Sequence, residues 1–162
     1  MTARLLFATG NPGKLRELRE LLRSEPLEVV SPLELSLDIE VDEDGDTFEA
    51  NAKKKALSYA KASGLYALAD DSGLCVDALG GRPGVFSARY GSDDAARIAR
   101  LLNELSGVEK AERGAHFVCA LCLASPSGQA WLEVGRCQGQ IGLAASGEQG
   151  FGYDPIFLVP AL

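Results

Sequence analysis

The chain opens with an apolar run, Leu5-Leu6-Phe7-Ala8, that is bounded by turn residues and reads as a short buried strand. Thr9-Gly10-Asn11-Pro12-Gly13-Lys14 interrupts it, after which Leu15, Leu18, Leu21 and Leu22 recur at helical spacing. Leu27–Val30 predicts a second strand. An acidic stretch from Asp38 to Glu49 leads into Asp46-Thr47-Phe48-Glu49, which has the form of a capping box and predicts a helix to about Ala62, broken by Gly64. Leu65–Ala69 reads as a third strand ending in Asp70-Asp71-Ser72-Gly73, and Leu74–Ala78 as a further strand running into GGRPGVFSARYG. Ser92 or Asp93 caps a helix on which Ile98, Leu101, Leu102 and Leu105 keep one face apolar. Strands at about 115–124 and 129–139, with a Pro126–Gly128 turn between them, predict an antiparallel hairpin. Strands and helices alternating in this order predict an α/β fold around a mixed sheet flanked by helices.

Length and charge narrow the function. The 162 residues suit a single domain, 1–162, that can bury a proper core. At 46% hydrophobic and 24% charged residues the composition is that of an ordinary globule. No run approaches membrane-spanning length and no signal-peptide pattern opens the chain, so a cytoplasmic protein with no membrane partner is expected. The net charge of −7 argues against nucleic acid as a partner, which calls for a basic face. A small anionic substrate fits only where a local cation offsets the acids, which points to a metal. Cys119 and Cys122 have CxxC spacing inside the strand pattern AHFVCALCLA, with no second ligand pair for zinc, and are expected as buried thiols. Trp131 and most other aromatics read as core.

Three places could carry chemistry. A glycine-containing loop between strand and helix leaves backbone N–H groups at the positive end of the helix dipole, and Lys14 adds a full charge there, which outlines a phosphate cradle. The loop is not a P-loop, since Leu15 stands where Ser or Thr would follow the lysine, and a plain tight turn is the alternative. Asp70 and Asp71 leave a buried strand together and repel each other unless a cation neutralises them; magnesium accepts one or two carboxylates alongside substrate phosphates. Phe151-Gly152-Tyr153-Asp154 sets two rings and a carboxylate among glycines, where a ring can stack on a base; core and turn is the other reading. Lys53, Lys54 and Lys55 point about 100° apart on a helix and cannot all serve one site. His116, the only histidine, has no evident nucleophile partner.

Taken together, Thr9–Lys14, Thr47-Phe48 with Asn51-Ala52, Asp70–Leu74, Leu79–Gly84 with Ser87–Tyr90, and Phe151–Phe157 resemble the inosine triphosphate pyrophosphatase family, in its order and across almost the whole chain. The resemblance implies an elongated α/β fold with a central mixed sheet, two lobes with the substrate cleft between them, and usually a homodimer. It implies Mg²⁺-dependent cleavage of ITP, dITP or XTP to the monophosphate and pyrophosphate. By position, Thr9, Gly10, Asn11, Pro12, Gly13 and Lys14 hold the phosphates. Asp71 becomes proton acceptor and metal ligand with Asp70 beside it, and Glu43 the second metal ligand. Asn51 and Lys55 match the family's Asn-Ala and the lysine after it, while Ser72 and Phe151, Gly152, Tyr153 and Asp154 contact the nucleotide. Ala50 departs from the family's glutamate, and the sequence stops before the family's later lysine and Ser-His-Arg, so either a missing C-terminal segment or a base discrimination that is weakened or done differently is expected. A nucleotide-binding module without turnover and a less selective nucleoside triphosphate pyrophosphatase are the competing readings.

Overall fold

The opening apolar run becomes β1 (Ala3–Phe7), in which Leu5, Leu6 and Phe7 are buried in succession. Consecutive burial means that both faces of the strand are covered, as in a parallel sheet. β1 pairs in parallel with β2 (Leu27–Val30) and with β3 (Tyr66–Val76). With β4 (Gly114–Ala124), β5 (Ala130–Ile141) and β6 (Phe157–Leu158) they form a six-stranded sheet in the order β2-β1-β3-β4-β5-β6. β5 and β6 are antiparallel, and the turn joining β4 to β5 is too short for any but antiparallel neighbours. The sheet is mixed and the fold is α/β, as the element order predicts. The computed structural model describes residues 2–160.

Residues group into two compact units, Met1–Asp71 with Ala120–Val134, and Ser72–Cys119 with Gly135–Leu162. The first holds α1 (Pro12–Leu21) and α2 (Phe48–Ser63). α2 buries Phe48, Ala52, Ala56 and Ala60, a stripe of every fourth residue whose small side chains allow close backbone approach. Thr47, not Asp46, is its N-cap and accepts the Ala50 N–H, so the capping box is displaced by one residue; three positions on from the true cap stands Ala50, which cannot reciprocate. Gly64, left-handed at φ 70°, ends the helix. The second unit holds α3 (Asp94–Glu104), capped by Asp93, and a core of Leu74, Val76, Tyr90, Leu101, Leu105, Ala115, Ile141, Tyr153 and Ile156. A buried arginine, Arg113, bonds the carbonyls of Leu105, Val108 and Gly142 there, three backbone acceptors that compensate its charge.

Four sequence expectations need correction. The strands expected at 65–69 and 74–78 are one strand, β3, which continues through Asp70-Asp71-Ser72-Gly73. Each partner that these two acids find is a fold contact that no local propensity encodes. α1 begins at Pro12, so Pro12-Gly13-Lys14 is helix rather than loop; proline has no N–H to lose in a first turn. Trp131 is 49% exposed and stacks on Tyr66, rings 6.4 Å apart, instead of entering the core. Of the CxxC pair only Cys122 is buried: residues three apart on a strand face opposite ways, which leaves Cys119 partly exposed.

Candidate active site

The first unit brings together most of the charged residues singled out from the sequence. Successive residues of a strand point to opposite faces, so Asp70 and Asp71 do not share one rim, as a strand end would have allowed. Asp70 is buried and accepts a 2.6 Å bond from Lys14 Nζ in the first turn of α1. Asp71, half-buried, accepts a 2.9 Å bond from the Asn51 side-chain amide on α2. Asn51 is itself fully buried and is held from its other side by the Gly45 N–H at 2.8 Å. A Cβ on residue 45 would lie 2.7 Å from that amide oxygen, so glycine is what lets the acidic segment close on Asn51.

Glu43, two residues before Gly45, forms an ion pair with Lys55 of α2. Lys55 is mostly buried, whereas Lys53 is exposed and Lys54 pairs with exposed Asp44 at 2.7 Å; one lysine of the three turns inward, as helical spacing requires. Burial pushes the Asp71 carboxyl above the ordinary aspartate range. The Asn51 amide opposes that shift, the Glu43 charge adds to it, Lys55 opposes it, and Asp70 adds the least. Asp71 therefore feels Glu43 as a like charge.

The phosphate cradle differs from its outline. Asn11 caps α1, its side-chain oxygen accepting from the Gly13 and Lys14 N–H groups at 2.8 and 3.2 Å, while the Asn11 N–H bonds the Thr9 hydroxyl at 3.1 Å. The donors expected to be open are thus engaged by the loop's own side chains, because asparagine at an N-cap competes for them directly. Thr9, Gly10, Asn11 and Pro12 also line a largely apolar cavity of about 350 Å³ with Pro32 and Leu37 among its walls.

Ser72 follows Asp71 on β3, half-buried. The remaining candidates lie in the second unit. Phe151 is half-exposed and Asp154 exposed, and Asp154 Oδ2 accepts the Phe151 N–H at 3.0 Å. Tyr153 is buried and its hydroxyl donates to the Ser87 carbonyl at 2.8 Å; burial pushes that phenol up to about 12. Ser87, known from the sequence only as part of a motif, and Asp94, which no sequence signal marks, take structural roles here. Ser87 takes the Leu74 N–H on its hydroxyl at 2.9 Å and donates to the Gly84 carbonyl at 2.6 Å. Asp94, in the first turn of α3, accepts the Gly152 N–H at 2.9 Å. An acid at a helix start reads as a dipole partner, and nothing in the sequence ties it to a loop 58 residues away. His116 is half-buried on β4.

Among known proteins, a dITP/XTP pyrophosphatase of Prochlorococcus marinus is 56% identical over 158 residues, covering 97% of this chain and 75% of that protein. A dITP/XTP pyrophosphatase of Bacillus subtilis is 47% identical over 157 residues, covering 95% and 79%. Among solved structures, a HAM1 protein from Coxiella burnetii superposes with a TM-score of 0.87 at 40% identity, covering 98% of this chain and 83% of that one. A nucleoside-triphosphatase / dITP/XTP pyrophosphatase from Mycobacterium abscessus gives 0.81 at 45% identity, covering 98% and 84%. The profile of the Ham1 family matches residues 5–162, which include both acidic strand positions, the α1 cradle and the closing aromatic loop; the chain belongs to the Ham1 family.

Proposed function

We propose that this chain, as one domain, hydrolyses the non-standard purine nucleoside triphosphates dITP, XTP and ITP between the α- and β-phosphates, releasing the monophosphate and pyrophosphate. The observation that carries the reading is the half-buried Asp71 carboxylate, oriented by buried Asn51 and raised in proton affinity by burial and, less, by Glu43. A carboxylate so raised is a better general base near neutral pH than an ordinary aspartate. Relatives at about half identity, named as dITP/XTP pyrophosphatases, support the substrate class.

The donor chemistry fits Mg²⁺. Among the described residues no three His, Cys, Asp or Glu side chains gather, and the Asp71–Glu43 pair supplies hard oxygens of the kind magnesium takes singly or in twos, with phosphate and water completing its shell. Asp71 and Glu43 would hold the ion, which when bound neutralises charge on the phosphate oxygens. Asp71 also orients the attacking water and accepts its proton. Asp70 holds the Lys14 ammonium at the start of α1, where it faces the phosphates with Thr9–Gly13 and stabilises charge as the bond breaks. Lys55 keeps Glu43 in place and adds a cation to the anionic substrate's surroundings. Ser72 and Phe151–Asp154 meet the nucleotide, Phe151 presenting the half-exposed ring. The family resemblance extends the proposal to a homodimer, which sedimentation would check, and a nucleotide-pool substrate agrees with a cytoplasmic place.

Incubation with dITP, XTP, ITP or ATP and Mg²⁺, with pyrophosphate and orthophosphate assayed separately, tests the reading. Pyrophosphate from the first three with little from ATP is the expected result. Orthophosphate would move the cleavage point, equal rates on ATP would remove the selectivity, and binding without release would leave a nucleotide-binding module.

A further inference from the structure

The closing aromatic loop is flexible by composition, and something must hold it. Gly147, Gly150 and Gly152 adopt φ of 84°, 82° and 61°, conformations open to glycine at little cost, so the segment has many alternatives to exclude before Phe151 can present a ring. Its contacts differ in kind. The bond from the Phe151 N–H to Asp154 lies within the loop and moves with it. Tyr153 fixes the third residue through its hydroxyl on the Ser87 carbonyl. Between these, the Gly152 N–H reaches Asp94 Oδ2 at 2.9 Å, the contact that ties the ring-bearing turn to a helix. Asp94 is itself held: Arg97 NH1 bonds its other oxygen at 2.6 Å, and the first turn of α3 favours its charge.

We propose that Asp94 is a positioning residue for base selection. It holds the Gly152 backbone so that Phe151 meets the purine in one orientation. The inference rests on the reading in which Phe151–Asp154 contacts the base. Asp94 touches no reacting atom, and it acts on where the nucleotide sits rather than on the bond cleaved.

Steady-state kinetics on ITP and ATP with Asp94→Ala, Asp94→Asn, Asp93→Ala and Phe151→Ala test it. Asp94→Ala should raise KM for ITP about ten-fold, the scale of one lost charge-assisted hydrogen bond, with kcat changed far less and the ITP-over-ATP ratio reduced. Asp94→Asn keeps an oxygen acceptor for Gly152 and should recover most of both losses. Asp93→Ala removes the neighbouring cap, whose side chain accepts the Ala96 N–H at 2.7 Å, and should lower Tm while KM and the ratio stay put. If Asp94→Ala lowers Tm as Asp93→Ala does and leaves KM and the ratio unchanged, Asp94 is a helix-start acid only and the proposal is overturned. Phe151→Ala separates the two levels. A rise in KM there with none in Asp94→Ala removes the Asp94 role alone, and no change in either removes the base-contact reading with it.

Discussion

Two polar clusters, one in each unit, are kept from water by opposite means. In the first, buried Asp70 meets an ammonium, half-buried Asp71 meets an amide, and Glu43 meets Lys55. In the second, the buried Tyr153 and Ser87 hydroxyls are satisfied by backbone groups, with no charge among them. A neutral network completed by backbone is finished when the chain folds, and its worth is stability. The charged one is left with a residual tension, because Asp71 is desolvated and feels Glu43 as a like charge. A ligand that relieves such tension binds there for that reason, whereas the hydroxyl cluster carries no such tension. The difference separates a place built for chemistry from one built for shape.

Breaking the charged region should cost turnover first. Lys14→Ala and Asp71→Asn are each expected to lower kcat by about 10²–10³, the usual loss when one preorganised charged group is removed, measured as pyrophosphate release from ITP. Near-normal turnover in either variant would erase the contrast between the units. Lys14→Ala should also lower stability by about 1–3 kcal/mol in urea titration, since Asp70 stays buried and loses its ammonium. Gly45→Ala probes the same region without touching a charge. Its Cβ would displace the Asn51 amide, and a loss of about ten-fold in kcat is expected from a carboxylate set slightly wrong, with urea stability changed little by comparison. An unchanged kcat would mean that Asn51 does not orient Asp71.

The hydroxyl cluster of the second unit should answer in stability and pH rather than in rate. Tyr153→Phe leaves the buried Ser87 carbonyl without this donor and should cost about 1–2 kcal/mol at neutral pH. The alkaline sign follows from the raised phenol. The unfolded chain ionises this tyrosine near its ordinary 10 and the folded chain near 12, so the unfolded state gives up its proton first. Wild-type stability should be flat below pH 10 from this group and fall by up to about 3 kcal/mol as pH rises to 12. Urea midpoints of wild type and Tyr153→Phe should therefore converge over that window and cross before its end. A constant gap would show that the phenol is not held neutral by burial.

Much of this architecture is legible in the sequence where local signals agree. Leu5–Phe7 and the leucines after Lys14 announce a buried strand and a helix because period and turn chemistry point the same way. Asp70-Asp71-Ser72-Gly73 misleads for a physical reason. Polar residues and a glycine look like a strand end, yet β3 carries them through because Lys14 and Asn51, distant in sequence, supply what the two acids need. The cradle misleads in the other direction, since glycine and proline suggest an open loop while Asn11 closes it with its own side chain. Trp131 shows the same limit on the surface, where a large apolar residue pairs with Tyr66 instead of reaching the core. Position along the chain was readable for most of the candidate site; which partner each charge finds was not.

The smallest effect should come from a charge that has every partner and no burial. Glu34 accepts from both Arg19 and the Ser31 backbone and hydroxyl, and these bonds, led by Arg19, hold its carboxyl down at about 2. A folded value below the ordinary 4.5 means that its contribution is complete above pH 4.5 and disappears as pH falls towards 2. Glu34 is nevertheless exposed, and water and salt screen what its bonds supply. Glu34→Gln should accordingly lower Tm at pH 7 only slightly in low salt, differ from wild type less and less as pH falls towards 2, and lose the difference at high salt. Were Glu34→Gln to destabilise the protein at pH 7 as much as Lys14→Ala, the number of bonds to a carboxylate would govern its worth in this unit. Removal from water would then not be what distinguishes the Lys14–Asp70 pair.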